Sequence, residues 1–317
     1  MPKAEIAALL ALSSALCVAL GDVLQQRATH RLTDTARSNL ELFATLFRNR
    51  RWRWGALMLV VSIALQAAAL GQGSVLLVQA LLVLSLLFAL PISAKLAHRR
   101  VTGREWVWAV VLTAAVIVIV TVGNPQAGQA RASLQTWAVV AAVLGPLLVG
   151  CVVVARIRGG ALAAALFAFV SGSLWAVFAV LTKGVVAQLG HGPVAALRTP
   201  ELYVWVLVAL GGFAWEQSAF RAGALTASMP TLEVSQPVVA AVLGVVVLGE
   251  TLNTDHAAMA ALAVAALVMA LATVELARGD AVATHSRVRA LLHRSAAQHE
   301  GAEPSTPAMA NNGQPHR

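Results

Sequence analysis

Charge is what this sequence has least of. Only 12% of its 317 residues are Asp, Glu, Lys or Arg, while 59% are hydrophobic; a soluble domain carries roughly a quarter of the first and half of the second. The shortage excludes an ordinary soluble globule and places the chain among membrane proteins. Cysteine is nearly absent as well. Cys17 and Cys151 both fall inside apolar runs with no metal-ligand spacing around them, which argues against a disulfide framework and a zinc site. Also missing are a phosphate-cradling loop, a nucleophile beside a base and a His-rich cluster on one helix, so the sequence reads as a non-enzyme without a cofactor. With no ATP-binding motif either, any uphill movement would draw on an ion gradient or the membrane potential.

The charge that is present is mostly positive, giving a net charge of +9 and a pI near 11.1. It lies between the apolar stretches and in the tail, where it suits anionic lipid headgroups better than nucleic acid. Lys3 ahead of an apolar stretch could pass for a secretory signal. Leu16 before Cys17 spoils a lipoprotein cleavage site, however, and further apolar segments follow, so the first run reads as a retained helix.

Crossing about 30 Å of hydrocarbon takes about 20 helical residues. Runs of that kind lie at 4–27, 52–72, 75–97, 104–123, 134–154, 160–184, 200–222, 225–248 and 255–276. The expected fold is an all-α integral membrane protein of nine transmembrane helices. Arg31, Arg37, Arg48, Arg50, Arg51, Lys95, Arg99, Arg100, Arg104, Arg156, Arg158 and Arg278 fall on one side of that arrangement, against Lys3, Arg131, Lys183 and Arg198 on the other. The positive-inside bias then puts the amino terminus outside and the carboxyl terminus in the cytoplasm. Leu40, Phe43, Leu46 and Phe47 recur at helical spacing before "RNRRWRW", as in a short helix lying on the inner leaflet. From residue 277 onward the composition turns polar and basic, as in a disordered cytoplasmic tail. Arg outnumbers Lys twenty to three, a bias of GC-rich prokaryotic genomes that points to a plasma (inner) membrane.

A shift of 150 positions lays the second to fourth runs on the seventh to ninth without a gap, with "LQAAALGQGSVLLVQ" on "WEQSAFRAGALTASM". Five spans separate each pair, so the two copies sit in opposite orientations, the pattern of alternating-access transporters. The first repeat covers 4–123 and the second 134–276, together the transporter domain 1–276, followed by the tail 277–317.

The stretch "AGALTASMPTLEVSQPVVAAVLGVVVLGETL", residues 222–252, resembles the closing helix pair of the drug/metabolite transporter (EamA-like) superfamily, with its mid-helix proline and Leu-Gly-Glu ending. "ALSSALCVALGDVLQQRA" and "AALGQGSVLLVQALLVLSLLFALPISAKLAHRRVT" are similar to its NIPA-type magnesium transporter branch. The resemblance covers residues 1 to about 276 and implies nine helices in a four-plus-five arrangement and a transport activity. One position departs from that branch: Arg99 and Arg100 stand where it carries an acidic pair.

An ionisable side chain near the bilayer centre costs about 3 kcal/mol and so needs a reason to be there. Asp22, Glu216 and Glu233 are the acidic candidates, each expected in the inner half of the bilayer. Asp22 can be a cavity residue or a helix end in the headgroups, and Glu216 a cavity residue or a partner of Arg221. Pro237 removes the amide that would bond the Glu233 carbonyl, and Pro230 does the same for Thr226. A broken helix with Glu233 and Gln236 on neighbouring faces is therefore the leading candidate for a substrate site. Lys183 is expected to snorkel to the outer interface; Gln66, Gln72 and Gln79 line an exit path or glue helices together. Gly71, Gly73, Gly145 and Gly150 read as close-packing positions, and His191 and His256 as solvated.

The expected function is a secondary transporter or facilitator for a cation or amine-bearing metabolite. Its substrate-binding residues are Glu233, Gln236, Asp22 and Glu216, with Glu233 and Asp22 as metal ligands if Mg2+ is the substrate. Expected partners are that substrate, anionic lipid at the cytoplasmic loops and a second copy of the chain as a homodimer, with no nucleic acid. The rival from another class is a non-transporting membrane scaffold.

Overall fold

The structure, a computed structural model, describes residues 3–32, 50–96, 100–222, 225–252, 256 and 258–278. The expected surface helix around Leu40–Phe47 and the tail beyond Arg278 lie outside the described residues. The elements are α1 (Lys3–Leu32), α2 (Arg50–Gln72), α3 (Val75–Leu82), α4 (Ser85–Leu96), α5 (Gly103–Gly123), α6 (Leu134–Arg158), α7 (Gly160–Leu189), α8 (Pro193–Leu197), α9 (Pro200–Arg221), α10 (Leu225–Leu248) and α11 (Ala258–Arg278). Between α5 and α6 lies β1 (Pro125–Gln126), which pairs antiparallel with β2 (Thr251–Leu252) after α10.

Helices dominate because hydrocarbon offers no partner to a backbone amide or carbonyl, so each segment must satisfy its own. Their starts are written locally. Ser74, Thr102 and Ser133 each cap a helix through the side-chain oxygen, and Thr102 with Glu105 closes a full capping box on α5. Eight helical segments among the described residues are long and apolar enough to cross a membrane. The run expected at 200–222 forms α9 but is not one of the eight; it carries Glu201, Glu216 and Arg221.

The outer surface supports the same reading. Leu134 is 82% exposed and Ile157 74%, and α6 presents Val139, Val143 and Leu147 outward between them. A soluble protein does not carry an apolar face of that extent, whereas lipid solvates it. The chain is an all-α, multi-pass membrane protein.

The core gathers on two helices. In one half α1 runs along α2 and leans on α3 and α4; in the other α7 runs along α9 and α10. The halves join where α2 meets α7 and α3 meets α10. Small residues make the closest approach possible: a Cβ on Gly172 would run into the Ser235 hydroxyl, so α7 and α10 touch almost backbone to backbone. Gly145 and Gly150 are different, with nothing within 4 Å of where a side chain would grow. Their expected role as close-packing positions is therefore corrected.

Two expectations about helix breaks reverse. Residues 225–248 form one helix through both Pro230 and Pro237, so the expected break beside Glu233 is absent. The span 75–96 is the interrupted one. There the Leu84 amide bonds the Leu81 carbonyl at 3.1 Å and the Leu86 amide bonds the Val83 carbonyl at 3.3 Å. These i→i−3 bonds replace the α ladder and leave the Ala80 and Leu82 carbonyls without those amides.

Candidate functional site

The polar side chains collect at two levels along the helices. One level is built around Glu250, two residues past the end of α10. Gly249 takes φ +63, the left-handed conformation in which glycine ends a helix, and the Glu250 amide reaches back to the Gly244 carbonyl at 3.0 Å. That turn throws the Glu250 side chain inward. It is 1% exposed. Its Oε1 accepts the Val75 amide at 2.7 Å and its Oε2 the Leu76 amide at 3.0 Å, so the carboxylate sits on the open amides at the start of α3. Lys183 of α7, 6% exposed, donates from Nζ to the same Oε1 at 2.9 Å. One carboxylate thus ties α3, α7 and α10 together. The β1–β2 ladder and the Gln129 amide bonded to the Leu248 carbonyl at 2.7 Å lie across the same end, and Arg131 pairs with Glu201 of α9 at 3.0 Å beside Gly184. Lys183 therefore does not snorkel: burial beside Glu250 gives it an ion pair in place of headgroup water.

The second level lies well down the helices. A Cβ on Gly73 would stand 2.6 Å from that of Ala7, so the start of α1 shares the Glu250 end, and Asp22 lies fifteen residues, about 22 Å, further along. Glu201 at the Glu250 end and Glu216 are likewise fifteen residues apart on α9, and Leu248 and Glu233 fifteen apart on α10, each about 22 Å. Asp22, Glu216 and Glu233 thus stand at one depth on three helices. Asp22 and Glu216 are near enough for their charges to interact. Glu216 accepts the Trp175 indole Nε1–H at 3.1 Å, and that ring packs edge-on against Phe178, which stacks on Trp205. Of the two readings offered for Glu216, the pairing with Arg221 is not the one formed: its hydrogen-bond partner is the Trp175 indole. Asp22 is exposed in mid-helix, with α1 continuing to Leu32; it is not the end of its helix. Glu233 and Gln236 are half-buried on one face of α10. That face continues at helical spacing through buried Ala240, Leu243 and Val247 to Gly244, whose added Cβ would stand 3.7 Å from that of Val75. The stripe with Glu233 and Gln236 therefore leads up the interior to the Glu250 knot.

Gln79, one turn into α3, is 3% exposed and its Nε2 has no hydrogen-bond partner. Gln66 is half-buried and Gln72 exposed. Among the described residues no three of His, Cys, Asp and Glu gather as a metal site, and Cys17 and Cys151 are free thiols. Sequence reasoning missed Glu250 and Lys183 as partners. The available signal was the Leu-Gly-Glu ending together with a lone lysine in an apolar run, two charges that each needed a counter-charge. Trp175 left no signal, since a tryptophan in an apolar helix reads as packing.

No family model matches the chain, and no solved structure matches it. A relative does: an uncharacterized protein of Corynebacterium glutamicum, 32% identical over 283 residues, covering 89% of this chain and 98% of that protein. Similarity at that level over most of this chain and nearly the whole of the other shows that the chain belongs to one family with that Corynebacterium glutamicum protein.

Proposed function

We propose that the protein is a secondary transporter or facilitator that moves a small cation or amine-bearing metabolite by alternating access, on the drug/metabolite transporter plan. The observation that carries this reading is the polar asymmetry along the helices. One end is shut by the buried Glu250–Lys183 pair, while at the other level Asp22 is exposed and Glu216 and Glu233 are half-buried. Buried ion pairs seldom stabilise more than apolar side chains of the same volume would. A knot of this kind suits a contact that forms in one state and opens in another. Counting α9 as a span gives nine, and the way α1 holds α2 with α3–α4 parallels the way α7 holds α9 with α10, which supports two inverted halves. The charge bias favours a plasma membrane with the Asp22 level on the cytoplasmic side and the amino terminus outside. Trp175 holds Glu216, and Asp22 beside it supplies the second negative charge a cation needs.

Mg2+ is the second reading, and the proximity of Asp22 to Glu216 favours it. The hydrated ion keeps several waters and is commonly held by one or two carboxylates. The test is flux into proteoliposomes containing the purified protein, with Mg2+ and methylammonium as separate probes. Saturable influx of either, lowered about ten-fold or more in Glu216→Gln, is expected, since a charge-bearing contact is worth roughly 1.5–3 kcal/mol. Absence of saturable influx of both probes through folded protein contradicts cation transport and returns the weight to a membrane scaffold.

A further inference from the structure

A groove of about 530 Å3 opens between α7, α10 and α11, clear of the Glu250 end and lined by a different face of α10 from the one that carries Glu233. On α10 its wall is the stripe Ala227, Pro230, Thr231, Val234, Ser235 and Val238, with Phe169 of α7 and Val274 of α11 facing it. This stripe lies on the opposite side of α10 from Glu233 and Gln236, by helical spacing. Its two hydroxyls are already used: Thr231 donates to the Ala227 carbonyl at 2.7 Å and Ser235 to the Leu232 carbonyl at 3.2 Å. The wall is therefore apolar in effect as well as in composition and offers nothing to a polar solute.

The mouth is different. Arg278 closes the groove at the carboxyl end of α11. Its guanidinium stands 3.9 Å from Glu275 Oε1, while Arg104 takes Oε2 of the same carboxylate at 2.6 Å. Two guanidiniums thus share one carboxylate, the shorter contact belongs to Arg104, and the cluster keeps a net positive charge. The wall from Ala227 to Val239 spans thirteen residues of α10, about 18 Å of helix. Half of a 30 Å hydrocarbon core is about 15 Å. A groove one leaflet deep, dry inside and cationic at its interfacial mouth, matches one class of molecule. We propose that it binds an anionic phospholipid, with an acyl chain along α10 and the headgroup phosphate on Arg278. The chain's own tail is a poor occupant, because Arg287, Arg289 and Arg294 would meet a mouth of like charge.

The proposal stands apart from the transport reading, and so does its test. Full-length protein in mixed phosphatidylglycerol and phosphatidylcholine is released from nanodiscs, and retained lipid is counted by native mass spectrometry. Wild type retains phosphatidylglycerol in preference to phosphatidylcholine, by about five-fold for one arginine near the membrane surface. Arg278→Gln removes the preference, Val238→Trp fills the groove and removes retention of both lipids, and Arg158→Gln, an exposed arginine at the end of α6, changes neither. Equal retention of the two lipids by wild type, or an undiminished preference in Arg278→Gln, overturns the assignment. The Arg278→Gln arm decides it even where the bulkier Val238→Trp fails to fold.

Discussion

The most consequential side chain in this chain is Glu250, because three helices depend on where its two oxygens point. Removing one member of a buried pair strands the other, which costs about 3–5 kcal/mol. Lys183→Met and Glu250→Gln are each expected to lower unfolding stability in detergent by that order, and the double variant to recover much of the loss. Additive losses in the double variant would show that the two side chains do not depend on each other. At the acidic level, Trp175→Phe keeps the ring but removes the indole donor to Glu216. A hydrogen bond to a charged group contributes about 1.5–3 kcal/mol. Flux should fall several-fold in Trp175→Phe while the fold survives; unchanged flux would mean that Trp175 only packs. Single residues were unevenly legible. Asp22, Glu216 and Glu233 stand out in any apolar sequence because an isolated charge there is expensive. Glu250 sits at an apparent helix end, where a charge is ordinarily solvated, and only the turn at Gly249 sends it inward.

Helices behave as rods whose contacts are set by which face carries small residues. Gly172→Ala drives a methyl into the Ser235 hydroxyl, and over-packing of this kind costs about 1–3 kcal/mol. Gly145→Ala meets nothing and gains helix propensity, so it should be neutral or stabilising by up to about 1 kcal/mol. Thermal unfolding of the two variants side by side checks the α7–α10 contact; equal effects would contradict it. Hydropathy alone located the long helices among the described residues to within about five residues, though not the short α8, because the cost of an unsatisfied backbone in hydrocarbon leaves a run of twenty apolar residues little choice. It could not see the interruption at Val83 and Leu84, since an apolar residue in a turn looks like an apolar residue in a helix. Proline misled in the other direction. Pro230 and Pro237 each delete one amide, but the rest of the ladder and the packing of α7 keep α10 continuous.

On the scale of the whole molecule, the two halves meet along α2–α7 and α3–α10, and the polar levels lie at opposite ends of that seam. Under the proposed transport function the seam is a two-state device whose Glu250 end is shut in this arrangement. Such a device is only as real as the difference in water access between its ends. Side-specific thiol labelling measures that difference, using a background of Cys17→Ser and Cys151→Ser with reporters Gln236→Cys and Gln79→Cys in sealed vesicles. The reporter at position 236 is expected to react with an impermeant reagent from the Asp22 side alone, and the one at position 79 to stay silent from both sides until Glu250→Gln opens it from the other. Silence at 236 from both sides, or a reactive 79 while Glu250 and Lys183 are intact, would contradict it.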